Sequence, residues 1–292
     1  ADNDPDGDLS SNIEEWAAST DPNDSTSSLR ILRVTRESSG ASGVIFQSVP
    51  GKRYVVEASR NLRDFQRVTE EIMAEGEVTT SMVLLYAPDS AEDVTYVSPD
   101  AEGRILVPNQ SLNGLWRGGD EAGFEAGGGD VGWVTAGQGI GYDQNQTTYD
   151  PFIGTDLQDV MYRQRTTAYL RIPFDVDSPL SVTSLTLEVR YDDGFAAWLN
   201  GVPVARDNVR SGLLDWESSA PSSRPDSQAV VFNEFDLGAY SEALRTGRNI
   251  LALQGVNRAS TNRDFLLQVR LRGEESELLK PSGYHFRVRV VE

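Results

Sequence analysis

The chain has 292 residues, with 26 Lys and Arg against 45 Asp and Glu, a net charge of −19, one His and no Cys. So acidic a chain repels phosphate, which argues against nucleic acid or an anionic membrane as a partner. No thiolate nucleophile, Cys/His zinc site or disulfide framework can be built, a Ser-His-Asp triad would have to use His285 in a terminal strand-like run, and the many carboxylates suit hard cations such as calcium.

No run approaches the ~18 apolar residues that cross a bilayer as a helix. The opening has no basic and apolar leader, so the expectation is a chain whose leader was cleaved, or a piece of a longer protein. The first motif follows at once. Numbered from Asp4, the residues Asp4, Asp6, Asp8, Asn12 and Glu15 fall at loop positions 1, 3, 5, 9 and 12, with Ser10 free to give its carbonyl at 7. This is the ligand spacing of an EF-hand-type calcium loop, although Leu9 stands where the usual turn glycine would be. Without a cation the mutual repulsion of these carboxylates leaves residues 1–20 disordered; with calcium, Ile13 and Trp16 are expected to dock on the adjacent sandwich. With Thr20-Asp21-Pro22 following, the segment resembles the thrombospondin type 3/dockerin-like calcium repeats of bacterial secreted proteins. That resemblance implies a spacer at residues 1–28, a Ca2+ cofactor, and a chain that is secreted or at the bacterial cell surface.

From Ser28 short alternating runs are separated by Gly, Ser and Pro. Tyr54, Val56 and Ala58 alternate with Val55, Glu57 and Ser59, a half-buried strand after the Pro50-Gly51 turn. The stretch from Ser48 through Tyr54 and Leu62 to Phe65 resembles a small fibronectin-III-like sandwich found in secreted planctomycete and verrucomicrobial proteins. The closing strand that the resemblance implies is missing before residue 100 and is matched by Tyr284–Val290. The expected organisation is therefore a split small sandwich, 29–102 plus 276–292, with a larger domain, 103–275, inserted in it or following it.

In the larger domain Leu170, Ile172 and Phe174 alternate, as do Leu185, Leu187, Val189 and Tyr191, and again Phe265, Leu267, Val269 and Leu271. Strands with little helical periodicity predict an all-β, antiparallel β-sandwich. Asn200-Gly201 marks a hairpin turn. Asp192-Asp193-Gly194 with Leu199-Asn200-Gly201, and later Gly247-Arg248-Asn249-Ile250-Leu251-Ala252, resemble the galactose-binding-like jelly roll, including accessory sugar-binding domains of glycoside hydrolases.

Candidate chemistry is sparse. Gly137, Gly139 and Gly141 lack the strand-then-helix setting of a phosphate cradle and read as a loop with close backbone turns. Asp192 and Asp193 do not make a glycosidase pair, since neighbours on a strand point to opposite faces; one fixes the hairpin and the other faces solvent or a cation. Trp198, mid-strand, reads as core. Trp116, Tyr142, Asp193 and Trp216 are the candidate ligand-binding residues, because sugars stack on exposed aromatic faces while polar groups take the hydroxyls. No acid/base pair or nucleophile with its base can be placed, so no enzyme is expected. The function expected is a non-catalytic, calcium-stabilised carbohydrate-binding or adhesion module acting outside the cell on a polysaccharide or cell-surface glycan. The alternative is a self-associating subunit of an extracellular filament, coat or matrix, joined through calcium and terminal strands.

Overall fold

A computed structural model of the chain describes residues 3–7, 11–18, 20–36, 41–85, 91–118, 132–145, 148–212, 214–277 and 284–291. Two compact units divide it: Ala1–Ser90 with Glu277–Glu292, and Ala91–Ser276.

The smaller unit begins with helix α1 (Asn12–Ala18). Its strands are β1 (Ile31–Arg36), β2 (Ser42–Gln47), β3 (Arg53–Ser59), β4 (Gln66–Arg67), β5 (Ile72–Met73), β6 (Val78–Val83) and, from the far end of the chain, the last strand, β19 (His285–Val291). One sheet runs β1-β2-β6; the other runs β19-β3-β4, with β5 also on β3. Val44, Phe46, Tyr54, Val56, Ala58 and Val83 form the core between them. β3 differs from the half-buried strand expected: Val55, Glu57 and Ser59 are buried as well. Glu57 tolerates this because Arg287, its register partner on β19, donates two hydrogen bonds to it. Arg287 also lies 4.2 Å over the ring of Phe65.

The larger unit holds β7 (Glu92–Val97), β8 (Glu102–Leu106), β9 (Val134–Gly137), β10 (Ile140–Asp143), β11 (Thr155–Asp156), β12 (Thr167–Val176), β13 (Val182–Asp192), β14 (Gly194–Leu199), β15 (Val202–Asp207), β16 (Asn233–Asp236), β17 (Gly247–Val256) and β18 (Asp264–Glu275). They make an antiparallel sandwich of jelly-roll type, apart from the short parallel pair β10–β11. One sheet runs β11-β10-β18-β13-β16 with β7 on β18, the other β15-β14-β17-β12-β8-β9. Leu170, Ile172, Leu251 and Leu253 of one sheet meet Leu187, Val189, Leu267 and Val269 of the other in a single core. The three alternating runs read from sequence are β12, β13 and β18.

Two expectations need correction. Residues 92–97 were placed in the smaller sandwich, but β7 pairs with β18 in the larger unit, because Val97 completes that unit's core. The stretch with Gly137, Gly139 and Gly141 reads as loop from sequence, yet Val134–Gly137 and Ile140–Asp143 are strands. The close turn is confined to Gly139, at φ +77°, where a Cβ would clash with the Phe152 carbonyl. At Gly141 a Cβ would strike the Phe265 carbonyl on β18, so that glycine serves strand pairing.

The Asn200-Gly201 turn joins β14 to β15 as the sequence predicts, both residues having positive φ. On the outer face of the first sheet, Glu188 is buried and accepts hydrogen bonds from Nε and Nη2 of both Arg270 and Arg272. Burial pushes its carboxyl up, but the hydrogen bonds and charges of the two guanidiniums outweigh that and hold it below its ordinary value. A depressed carboxyl adds stability above its unfolded pKa and loses it as pH falls through the folded one. Glu188→Gln is therefore expected to cost about 2 kcal/mol at pH 7, a partly screened version of breaking a buried pair. The deficit should shrink below the ordinary carboxyl value of 4.5, which urea unfolding across pH 3–7 would show. An equal deficit at every pH would contradict this role.

Candidate functional site

The N-terminal segment is closed by its own backbone. Asp4 Oδ1 accepts the Gly7 N–H at 2.8 Å, Gly7 sits at φ +78°, where L side chains are strained, and Asn12 N–H donates to the Asn3 carbonyl at 2.8 Å. Asp8 and Ser10 lie outside the described residues; Asp4, Asp6, Asn12 and Glu15 lie within them. The helical period places Asn12, Glu15 and Ala18 on one face of α1. Glu15 and Ala18 are buried, while Ile13 and Trp16 are 72% and 80% exposed. This corrects the expected docking of Ile13 and Trp16: the inward face is the one carrying Asn12 and Glu15, and three-residue spacing cannot bury both sets. Asn12 Oδ1 is buried without a hydrogen-bond partner. Among the described residues, no group of three or more Asp, Glu, His or Cys side chains is placed to hold a metal ion.

The aromatic candidates collect on the outer face of the second sheet of the larger unit. Trp116 stacks on Tyr169 with ring centres 4.3 Å apart and meets Trp198 edge-on at 5.3 Å. Trp116 is 2% exposed and Tyr142 1%, so the structure corrects both as sugar-facing residues: neither has a free ring face. Tyr142 belongs to the main core, and its hydroxyl donates to the Asn262 carbonyl at 3.0 Å. Trp198 is buried, as read from sequence. Trp216 is the exception. It packs on the edge of the Trp116 cluster, half-buried, with the Arg165 guanidinium 5.5 Å over its ring. Its loop is fixed: Thr167 Oγ1 donates to the Trp216 carbonyl, Gln254 Nε2 to the Asp215 carbonyl, and Ala220 N–H to the Asn257 carbonyl. Asp215 and Glu217 are exposed beside it.

The third feature was only half legible. Asp192 and Asp193, joined by a cis peptide bond, are both buried, so neither side chain is the solvent-facing one that the sequence allowed. Asp193 is no ligand group open to solvent. Its Oδ1 accepts Arg224 N–H and its Oδ2 accepts Arg258 N–H, each at 2.8 Å, with Asn262 Nδ2 at 3.3 Å, so it ties two loops to the end of β13. Asp143 does the same for a third loop, accepting the N–H groups of Asn145, Thr148 and Tyr149. Asp264 pairs with Asp143 across β10 and β18. Burial, then the charges of Asp193 and Asp264, pushes the Asp192 carboxyl far above its ordinary range; burial, then Asp226, Asp193 and Asp143, pushes Asp264 up too. Two carboxylates about 4 Å apart repel by roughly 4 kcal/mol at a protein-like dielectric, so this cluster needs a proton or a cation. Asp143 and Asp264 were not found from sequence. Their one signal was an acid at the end of a strand whose other residues are largely core.

No family model matches the chain, and no curated protein matches it. Solved structures do. The chain is similar to a β-glucuronidase from an uncultured Clostridium sp., at 11% identity and a TM-score of 0.36, over 65% of this chain and 30% of that one. It is similar to the Ruminococcus gnavus β-glucuronidase in complex with uronic deoxynojirimycin, at 10% identity and a TM-score of 0.32, over 64% and 30%. The apo form of that enzyme gives 10%, 0.32, and coverage of 64% and 29%. The chain thus spans less than a third of the length of these proteins, and likeness at this level assigns it no activity. The expectation of no enzyme is not carried forward: the similar structures named here are of β-glucuronidases, and that likeness gives this chain no role of its own.

Asp193→Ala strips an acceptor from two backbone N–H groups at once and is expected to cost about 3 kcal/mol. Asp193→Asn, which keeps one acceptor oxygen, should cost about half as much. Denaturant unfolding measures both; a loss below about 0.5 kcal/mol for the alanine variant, typical of plain surface changes, would mean the loops hold themselves.

Proposed function

We propose that this chain is a calcium-stabilised carbohydrate-binding or adhesion module that works outside the cell or at its surface, on a polysaccharide or cell-surface glycan. In this reading residues 1–28 are a thrombospondin type 3/dockerin-like spacer, the smaller unit is a fibronectin-III-like sandwich and the larger a galactose-binding-like jelly roll. The observation that carries it is Trp216: a half-exposed indole on a fixed loop, backed by a rigid aromatic layer and flanked by Arg165, Asp215 and Glu217. A sugar ring has an apolar face to stack there and hydroxyls for the charged groups around it. Affinity electrophoresis through polysaccharide gels, guided by a glycan array, should show retention that Trp216→Ala weakens about tenfold, equivalent to roughly 1.4 kcal/mol. No retention of the unaltered protein on any glycan would overturn the proposal.

Calcium enters through the N-terminal segment. Its residues fit the ion: the Asp4–Gly7 turn brings the acidic stretch around, Asn12 and Glu15 share the inward face of α1, and the Asn12 oxygen is buried without a partner. Asp4, Asp6, Asp8, Asn12, Glu15 and the Ser10 carbonyl would hold it, and the ion would neutralise charge and make binding free energy part of folding free energy. Chelation, or Glu15→Ala, should lower the melting temperature and open residues 10–28 to protease while the larger unit resists cleavage. Unchanged proteolysis in the presence of chelator would refute this.

The exposed Ile13 and Trp16 favour a second reading, self-association into a filament, coat or matrix. Polymers seen by electron microscopy with calcium, and lost on Trp16→Ala, would select it over glycan binding.

A further inference from the structure

The acidic ends of β13 and β18 contain two polar atoms that the fold leaves unsatisfied. Asp192 is 2% exposed and its Oδ2 has no hydrogen-bond partner; Tyr149 is fully buried and its hydroxyl has none either. Both border Leu266: Asp192 is its register partner across β13 and β18, and Tyr149 packs against it. Tyr149 resists ionisation because it is buried and, next, because of the charges of Asp192, Asp264, Asp226 and Asp193. Among the described residues, neither Asp192 nor Asp264 forms an ion pair with Lys or Arg. Buried polar groups in native proteins are nearly always paired, so an orphan phenol beside an orphan carboxylate oxygen requires a third party.

We infer that the larger unit holds a second calcium site, in which Asp192 Oδ2, the Asp264 carboxylate and the Tyr149 hydroxyl face one ion and water completes its shell. A proton on Asp192 would relieve the carboxylate repulsion but would leave the Tyr149 hydroxyl without a partner. A cation uses both. The donors are all oxygen, two of them carboxylates and the rest neutral, which suits a hard ion of high and flexible coordination number. Asp143 and Asp193 are spent on backbone N–H groups and serve to order the loops around the site. Entry is open, since Asp264 is half-buried and Asp226, one helical turn from the buried Ala229, is exposed.

The site is independent of the N-terminal loop, and one experiment separates the two. The full chain is stripped with chelator and titrated calorimetrically with calcium chloride at neutral pH. The Glu15→Ala protein should still take up one calcium ion. Asp192→Asn, which keeps the side-chain shape and removes the charge, should lose that ion while retaining its near-ultraviolet dichroism. Tyr149→Phe should bind it about tenfold more weakly, the effect of losing one ligand-shell group. If Glu15→Ala is folded and takes up none, or if Asp192→Asn and Tyr149→Phe bind calcium as the unaltered protein does, the second site does not exist and Asp192 is kept neutral by a proton. If Glu15→Ala and the unaltered protein bind alike and only Asp192→Asn loses calcium, this site stands and the N-terminal one falls.

Discussion

The register of β13 against β18 is the constraint on which the larger unit depends. Leu187 opposite Leu271, Val189 opposite Val269 and Tyr191 opposite Leu267 put one set of side chains into the core. The same pairing puts Glu188, Arg190 and Asp192 on the other face, against Arg270, Gln268 and Leu266. A slip of one residue would exchange the two sets, sending carboxylates and guanidiniums into the apolar interior. The outer-face pairs therefore specify the register as firmly as the core does: Glu188 with Arg270 and Arg272, and Arg190 with Gln268 at 2.8 Å.

Strand register also explains, in each unit, how so acidic a chain can bury carboxylates. Glu57 and Glu188 are neutralised by arginines on the neighbouring strand. Asp143 and Asp193 are neutralised differently, by backbone N–H groups of the loops they organise. Asp192 is buried and has neither kind of support. These five acids thus have three different fates, set by which donors their strand positions meet.

The second sheet of the larger unit covers its outer face with rings instead of charges. Trp116, Tyr169 and Trp198 interlock there, and the fully buried side chain of Arg171 belongs to the same strand as Tyr169. Burial, and then the nearby Arg104, lowers the pKa of Arg171 to about 10. An aromatic layer of this kind is rigid because each ring is held on more than one side, so a single indole at its margin, Trp216, keeps a fixed orientation while remaining open to solvent.

Alternation was enough to find β12, β13 and β18, and Asn200-Gly201 enough to find the hairpin, because side-chain period and turn chemistry are local properties written into consecutive residues. The carboxylate spacing from Asp4 to Glu15 was legible for the same reason. What sequence could not decide was burial. Trp116 and Tyr142 look like ligand platforms until strands distant in sequence bury them, and Ile13 and Trp16 look like a docking face until the helical phase turns Asn12 and Glu15 inward. Asp192 and Tyr149 are separated by dozens of residues and both border Leu266 only because β13 pairs with β18. Period and turn are fixed by the nearest few residues; which polar group is left without a partner depends on every strand and loop packed around it, and only the tertiary structure supplies that.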